Sequence, residues 1–194
     1  NDKVKLINSL HHRKYRREHK LFVAEGIRIC REATENGWEI KYLLYDNLNI
    51  DTYKIKDLIN DVLCLGADVI GVTSEILSKI SHKENPQNVL CVIRQKWNDL
   101  PSIIKDETFV ALEAVRDPGN LGTILRTMDG VGAFDCILLD ECTDPFSYES
   151  VRASMGAIFN VNIIASSSEQ FLNWKSRHKI NLIGTSLINS NDYT

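Results

Sequence analysis

The chain has 194 residues, of which 43% are hydrophobic and 25% charged, a balance typical of a globular protein with room for one large or two small domains. No apolar run approaches the ~18–20 residues of a membrane-spanning helix, and no signal-peptide pattern opens the sequence; we therefore expect no membrane anchor and a cytoplasmic location. The five cysteines are scattered without a C-x-x-C pair, which favours reduced core residues and indicates no metal site.

The first twenty residues concentrate positive charge. Seven basic residues stand against two acidic ones, a net charge of +5, which leaves −8 for the rest of a chain whose net charge is −3. The basic residues are Lys3, Lys5, Arg13, Lys14, Arg16, Arg17 and Lys20. Interleaved histidines and Tyr15 fit a phosphate-binding surface of the kind that contacts nucleic acid. The apolar stripe of Val4, Ile7 and Leu10 equally fits a solvated amphipathic helix, and one segment can serve both roles.

Alternating strands and helices follow as far as residue 95. The predicted strands cover 21–24, 40–45, 69–72 and 89–93, and the predicted helices cover 27–36, 53–60 and a segment capped by Thr73 or Ser74 that continues to Ile80. This alternation predicts a three-layer α/β sandwich as the first domain, 1–95. Residues 96–106, which include Pro101, have the polar character of a linker to a second domain, 107–194.

The second half opens with a strand–loop–helix–strand unit. It comprises a buried strand at 109–112, turn residues at 117–120, a helix from Leu121 that Gly130 and Gly132 end, and a strand at 136–139. Such a unit implies a parallel sheet with a ligand near the strand ends. Beyond it we predict a short helix starting at Glu149 or Ser150, a strand at 161–164, a helix after 166–168, and a last strand at 180–185.

Spacing alone leaves two interpretations of this unit open. In the first it is a purely structural repeat, with Arg126 on a solvated face, since a helical wheel places Arg126 far from the apolar stripe. In the second it is a dinucleotide site, with Asp140 or Glu141 holding a ribose. The second is disfavoured because residues 119–122 supply G-x-x-G rather than G-x-G-x-x-G.

Two sequence segments carry a resemblance that favours a third interpretation over these two. The stretch DPGNLGTILRTMDGVGA, residues 117–133, resembles the first signature motif of the SpoU/TrmH family of RNA ribose methyltransferases, in the SPOUT superfamily. Its matching positions include Asp117, Asn120, Gly122 and Arg126. Further on, DPFSYESVRASMGAIFNVNI is similar to the family segment that contains Arg152. Two motifs in the family's order are far more specific than either alone.

The resemblance implies a fold for each half. Residues 1–95 resemble the family's substrate-binding domain, which is similar to the ribosomal protein L30e fold, an RNA-binding α/β sandwich. The second half then has the SPOUT-type parallel sheet, in which a trefoil knot holds S-adenosylmethionine (SAM). The family's second and third motifs are not found in these 194 residues, so we expect the knot and most SAM contacts to be incomplete within them.

The resemblance also implies chemistry, namely methyl transfer from SAM to a ribose 2′-hydroxyl of RNA. Arg126 would stabilise the hydroxyl's developing charge and Asn120 would position substrate or cap the helix. The resemblance implies contact with ribosomal RNA, or alternatively with transfer RNA. The residues in contact would be Arg13, Lys14, Arg16, Arg17 and Arg152. Arg152 could instead form a structural salt bridge. The near edge of the SAM pocket would be Thr185, Ser186 and Leu187.

Family resemblance alone further implies a homodimer. A non-catalytic RNA-binding protein that keeps the same scaffold without turning over SAM is the alternative function.

Overall fold

The computed structural model describes residues 2–49, 53–103 and 108–185 of the chain. The helices in this part of the chain are α1 (Asp2–Ser9), α2 (Arg13–His19), α3 (Ile27–Glu35), α4 (Tyr53–Cys64), α5 (Ser74–Ser81), α6 (Pro118–Val131), α7 (Tyr148–Ala153) and α8 (Ser168–His178). The strands are β1 (Leu21–Glu25), β2 (Ile40–Asp46), β3 (Asp68–Val72), β4 (Val89–Arg94), β5 (Phe109–Glu113), β6 (Asp135–Leu139) and β7 (Asn162–Ser166). Among the helices described, none is long and apolar enough to cross a membrane.

The first half is a three-layer sandwich around a mixed sheet, as the sequence predicts. The strand order is β1-β4-β2-β3, with β2 and β3 parallel and the other pairs antiparallel. Successive strand residues point to opposite faces, so Leu43 packs toward α3 and α4 whereas Leu44 packs toward α1 and α5. Ile7 and Leu10 bury the predicted apolar stripe of the N-terminal segment in that second cluster.

The second half is a parallel sheet in the order β5-β6-β7, which confirms the predicted βαβ unit. Cys136 and Leu138 of β6 face the core under α6, while Ile137 and Leu139 face α8 on the other side. Helix α6 begins at Pro118, and the Asp117 side chain caps it by accepting a 2.6 Å hydrogen bond from the Asn120 backbone N–H.

Two local predictions about this half are wrong. Asn120 does not cap α6, because Asp117 already stands at the capping position and Pro118 fixes the first helical residue. The predicted strand at 180–185 is absent: residues 181–185 are exposed and make no ladder pairing with β5, β6 or β7. An apolar run forms a buried strand only where a neighbouring strand supplies hydrogen bonds.

Helices α6 and α7 approach each other more closely than side chains normally permit. A Cβ atom at Gly122 would lie 2.5 Å from the Ser150 carbonyl oxygen and 2.6 Å from the Ala153 Cβ. The Ser150 hydroxyl, fully buried, donates to the Pro118 carbonyl over 3.0 Å and ties the start of α6 to α7. Close packing of α6 against α7 thus explains why the first motif has glycine at position 122.

The two halves share one hydrophobic core. Phe22 of β1 packs against Phe146 of the second half with ring centroids 4.9 Å apart, and both residues are fully buried. Trp38 crosses the same boundary, packing edge-on against Phe159 at 5.3 Å and donating from Nε1 to the Phe159 carbonyl over 3.0 Å. These contacts fix the orientation of the halves, because a packed aromatic cluster resists sliding.

The predicted linker also packs against the second half where the structure describes it. Trp97 packs edge-on against Phe146, with ring centroids 5.1 Å apart. Asn98 forms a parallel β-bridge with Ile164, and Trp174 Nε1 donates a 2.7 Å hydrogen bond to the Pro101 carbonyl. Residues 97–101 are therefore a packed connection between the halves. Residues 104–106 of the predicted linker lie outside the described residues.

A buried ion pair joins the halves beside the aromatic cluster. The Arg16 guanidinium contacts the Asp144 carboxylate through both Nε and Nη2 at 2.8 Å, with side-chain exposures of 5% and 9%. Arg16 Nη1 donates to the Leu10 and His11 carbonyls at 2.8 and 2.7 Å. The predicted RNA contact at Arg16 does not fit this placement, because its donors are directed into the protein.

Removing either partner of this ion pair should destabilise the fold. A buried charge that loses its partner costs about 3–5 kcal/mol, so we expect Arg16→Ala and Asp144→Ala each to lower the free energy of unfolding by that order. The apolar double variant R16M/D144L should lose less than either single variant. Urea unfolding monitored by tryptophan fluorescence measures these differences, and Arg13→Ala on the exposed face of α2 is the control. Single variants within about 1 kcal/mol of wild type would contradict the assignment.

Two glycines of α6 should respond oppositely to alanine. Gly122→Ala forces the α6–α7 contact apart and should cost about 1–3 kcal/mol, as overpacking does. Gly130→Ala meets nothing within 4 Å and should stabilise the helix by up to about 1 kcal/mol. Thermal unfolding midpoints of the two variants check this, and midpoints that shift in the same direction would show that the contact is not tight.

Candidate functional site

A groove opens where β5 runs into α6. It has a volume of about 550 Å³, and its lining includes Arg116, Asp117, Asn120, Thr123 and Ile124. The exposed side chain of Asn120 makes no hydrogen bond with the described residues, so its amide is available to a ligand. The groove lies at the carboxyl edge of the parallel sheet, where ligands bind in open α/β folds.

A second groove, of about 520 Å³, adjoins the first through Arg116. Its lining includes Arg13 and Arg17 of α2 and Glu141, Cys142 and Thr143 after β6. Arg13 and Arg17 are four residues apart and share one face of α2, while Arg16 points inward as the anchor. The fold thus brings two predicted RNA contacts from one end of the chain to the sheet edge that carries Asn120.

Both acidic residues after β6 are engaged by the protein. The Ser168 hydroxyl and backbone N–H donate to the Asp140 carboxylate, and these bonds hold the pKa of Asp140 below its usual value. Glu141 forms an ion pair with Arg116 at 3.0 Å. Neither arrangement presents a free carboxylate to a ribose, so the dinucleotide interpretation is not supported.

Arg126 lies on the exposed side of α6, one helical turn beyond Gly122. Within the described ranges it makes no ion pair and no side-chain hydrogen bond. An arginine guanidinium carries a positive charge and five N–H donors. A fixed, unneutralised charge is therefore held on the helix that carries Asn120, although Arg126 does not line the groove around that residue.

The remaining predicted residues lie apart from this edge. Lys14 is exposed, with Nζ 5.6 Å from the centre of the Tyr15 ring. Arg152 is exposed on α7 and lines a different cavity, at the junction of the halves. Within the described residues it does not form the salt bridge predicted as its alternative role. Thr185 is exposed and lines none of these cavities, and Ser186 and Leu187 fall outside the described residues.

Sequence reasoning missed Arg116, which connects the two grooves, and Arg28, which lines the junction cavity. The position of Arg116 directly before Asp117, four residues after the predicted strand at 109–112, was an available signal. Arg28 had none, because only tertiary packing sets α3 opposite α7.

The cysteines and carboxylates form no metal site in the described ranges, and the buried Cys136 is a poor nucleophile. Four cysteines are buried, Cys64 is exposed and all five are free. Burial raises the pKa of Cys136 to about 12, with a smaller contribution from Cys142, so this thiol stays protonated. No group of three His, Cys, Asp or Glu side chains among the described residues could hold a metal ion.

Comparison with known proteins assigns a family to each half. A family model for the MRM3-like substrate binding domain matches residues 1–91, and one for the SpoU rRNA methylase family matches residues 107–194. Among curated proteins, the 23S rRNA (guanosine(2553)-2′-O)-methyltransferase RlmP of Bacillus subtilis is 26% identical over 193 residues, covering 100% of this chain and 73% of that protein. The 23S rRNA (uridine(2479)-2′-O)-methyltransferase of Streptomyces viridochromogenes is 28% identical, and the match spans 84% of this chain and 59% of that protein.

Solved structures agree with these matches. The crystal structure of an rRNA methyltransferase from Sinorhizobium meliloti superposes with a TM-score of 0.91 at 38% identity, covering all of this chain and 73% of that one. An AdoMet-bound rRNA methyltransferase structure from the same organism gives a TM-score of 0.83 at 39% identity, over 91% of this chain and 66% of that one. Both halves match family models in order, and the chain is 38% identical over its whole length to the first of these structures. The chain therefore belongs to the SpoU rRNA methylase family and carries an MRM3-like substrate-binding domain ahead of its methylase domain.

Proposed function

We propose that the protein transfers a methyl group from SAM to a ribose 2′-hydroxyl of ribosomal RNA. The relatives from B. subtilis and S. viridochromogenes carry this activity in their names, and a structural neighbour from S. meliloti has AdoMet bound. The 2′-hydroxyl distinguishes RNA from DNA, which makes RNA the required substrate class.

The observation that carries this proposal is the unpaired charge of Arg126 on α6. A ribose hydroxyl is a weak nucleophile, and attack on a methyl group builds negative charge on its oxygen as its proton leaves. A guanidinium that donates no hydrogen bond to the described residues can stabilise that oxygen or the adjacent phosphate. Because arginine does not act as a base, its role is electrostatic, and the hydroxyl proton passes to solvent water. The cofactor, when bound, would leave as its thioether once its sulfur–methyl bond is broken.

Asn120 and Asp117 act as positioning groups at the start of the same helix. Asp117 fixes the Asn120 backbone through the 2.6 Å capping bond and leaves the Asn120 side chain directed to solvent at the groove. An amide offers both a donor and an acceptor, which suits a ribose hydroxyl that does both. Asn120 therefore orients the ribose at the start of the helix that carries Arg126.

The RNA backbone is proposed to run along the two connected grooves. Arg13 and Arg17 stand exposed at one end and Asn120 at the other, with Arg116 between them. Phosphate contacts of this kind position a strand without reading its sequence. Arg116 is partly neutralised by Glu141, so Arg13 and Arg17 supply most of the attraction.

The described residues do not by themselves form a site that fits SAM. Of the three residues predicted at its near edge, Thr185 is exposed and lines no cavity beside Asn120, and the other two lie outside the described residues. The cofactor supplies the electrophilic methyl group when bound. The described residues account for RNA contacts and for the environment of the nucleophile.

We also propose a homodimer, which the family resemblance supports, and a cytoplasmic location, where the five free cysteines would stay reduced. The non-catalytic RNA-binding alternative rests on the exposed arginines of α2, which need no chemistry to bind RNA.

Arg126→Ala should reduce methyl transfer by at least about 100-fold, because one preorganised charge at a developing oxyanion contributes on that order. Transfer of tritiated methyl from SAM to purified large-subunit ribosomal RNA measures the rate. SAM affinity and RNA affinity are measured in parallel and should change less than about 10-fold. Arg177→Ala, which removes an exposed arginine from α8, is the matched control.

The outcomes separate the alternatives. Wild-type protein that binds ribosomal RNA and SAM without transferring methyl would favour the binding protein. An Arg126→Ala variant that transfers methyl at the wild-type rate would contradict the electrostatic role given to Arg126.

A further inference from the structure

A cavity of about 410 Å³ lies at the junction of the two halves, away from the grooves at the sheet edge. Its walls come from both halves, with Val23, Ile27 and Ile29 on one side and Val151 and Tyr148 on the other; Lys83 Nζ lies 5.1 Å from the centre of the Tyr148 ring. The volume falls within the range of about 300–1,000 Å³ that small-molecule sites occupy. A concave apolar cavity of this size accepts a planar ring with its substituents.

Two uncompensated cations stand at this cavity. Arg28 of α3 and Arg152 of α7 are both exposed, both line it, and neither forms an ion pair within the described ranges. A third cation, Lys83, is neutralised by the buried Glu25 carboxylate at 2.7 Å. Two arginines without an ion-pair partner at an apolar cavity make it complementary to a group with an apolar body and negative charge at its edge.

The cavity is separated from α6 by one helix. Ser150, Ala153 and the Ser154 N–H face α6 at Gly122, whereas Tyr148, Val151 and Arg152 line the cavity. An α-helix with its side chains is about 10–12 Å across. A nucleic acid strand that places one nucleotide at α6 can therefore reach the cavity within a few nucleotides.

The residue after α7 that lines the cavity is conformationally restrained. Met155 adopts φ +54, a backbone region that side chains other than glycine seldom occupy, and its side chain is 44% exposed. Gly156 follows at φ +104, where a Cβ would lie 3.1 Å from Glu32 Cγ. The two residues together place the apolar Met155 side chain at the cavity.

We propose that the junction cavity binds an unpaired nucleotide of the RNA substrate, with the base between the apolar walls and the flanking phosphates on Arg28 and Arg152. Bases splayed out of a strand are recognised by apolar and aromatic side chains, while arginine holds their phosphates. The proposal deepens the proposed function by giving the enzyme a second contact that selects an unpaired region near the methylated ribose. SAM does not fit this description, since its sulfonium is cationic.

The test uses the whole protein and a fluorescein-labelled RNA of 20 nucleotides, single-stranded or annealed to its complement. Fluorescence anisotropy gives the dissociation constant across a series of salt concentrations. R28A/R152A removes the cations, and Ile27→Trp fills the cavity from a half-buried wall position without changing charge. R31A/R177A, which removes one arginine from α3 and one from α8, is the matched control.

Each variant has its own expected signature. For the single strand, R28A/R152A should weaken binding. It should also make the negative slope of log association constant against log salt concentration shallower by about 1.4, at roughly 0.7 for each lost phosphate contact. Ile27→Trp should weaken single-strand binding about 10-fold with an unchanged slope, because a stacked base contributes on that order. Duplex binding should be unaffected by Ile27→Trp, and the unfolding midpoints of all variants are measured to confirm folding.

Single-strand affinity unchanged in Ile27→Trp would overturn the base-binding cavity, even if R28A/R152A weakened binding. Equal weakening by R31A/R177A would also overturn it, because the effect would then be one of net charge. Failure of the proposed function is distinguishable from these results: the variants would show the expected RNA signatures while wild-type protein transferred no methyl group to RNA.

Discussion

The buried contact between the two halves is the constraint on which the rest of the structure depends. Phe22 and Phe146 close an aromatic cluster, and beside it Arg16 and Asp144 form an ion pair that would be costly if either partner were missing. Because Arg16 anchors α2, its neighbours Arg13 and Arg17 are held at the carboxyl edge of the parallel sheet. A basic segment remote in sequence thereby becomes part of the site.

The contact between α6 and α7 organises the chemistry in a similar way. Gly122 lets the helices approach until backbone meets backbone, and the Ser150 hydroxyl fixes the start of α6. Asn120 and Arg126 lie on a helix that is thereby held rigidly, as positioning of a ribose demands. The same packing turns Val151 and Arg152 to the opposite side, where they line the junction cavity.

Local patterns predicted the sandwich and the βαβ unit, because hydrophobic period and turn chemistry are local properties. The roles of Asn120, Arg126 and Arg152 came from the resemblance to the SpoU/TrmH family. Tertiary contacts were not predictable in this way. Arg16 is indistinguishable in sequence from Arg13 and Arg17, since its burial depends on Asp144, 128 residues away. The run at 180–185 has strand-like composition, but no described strand pairs with it.

The central claim is that the sheet edge and α6 present a ribose hydroxyl for methylation. It is tested most directly by identifying the methylated atom. Large-subunit ribosomal RNA is incubated with the protein and SAM, digested to nucleosides and examined by mass spectrometry. The account predicts a nucleoside whose added methyl group fragments with the ribose. A methyl group that stays with the base, or RNA left unmodified by protein that binds both SAM and RNA, would contradict it.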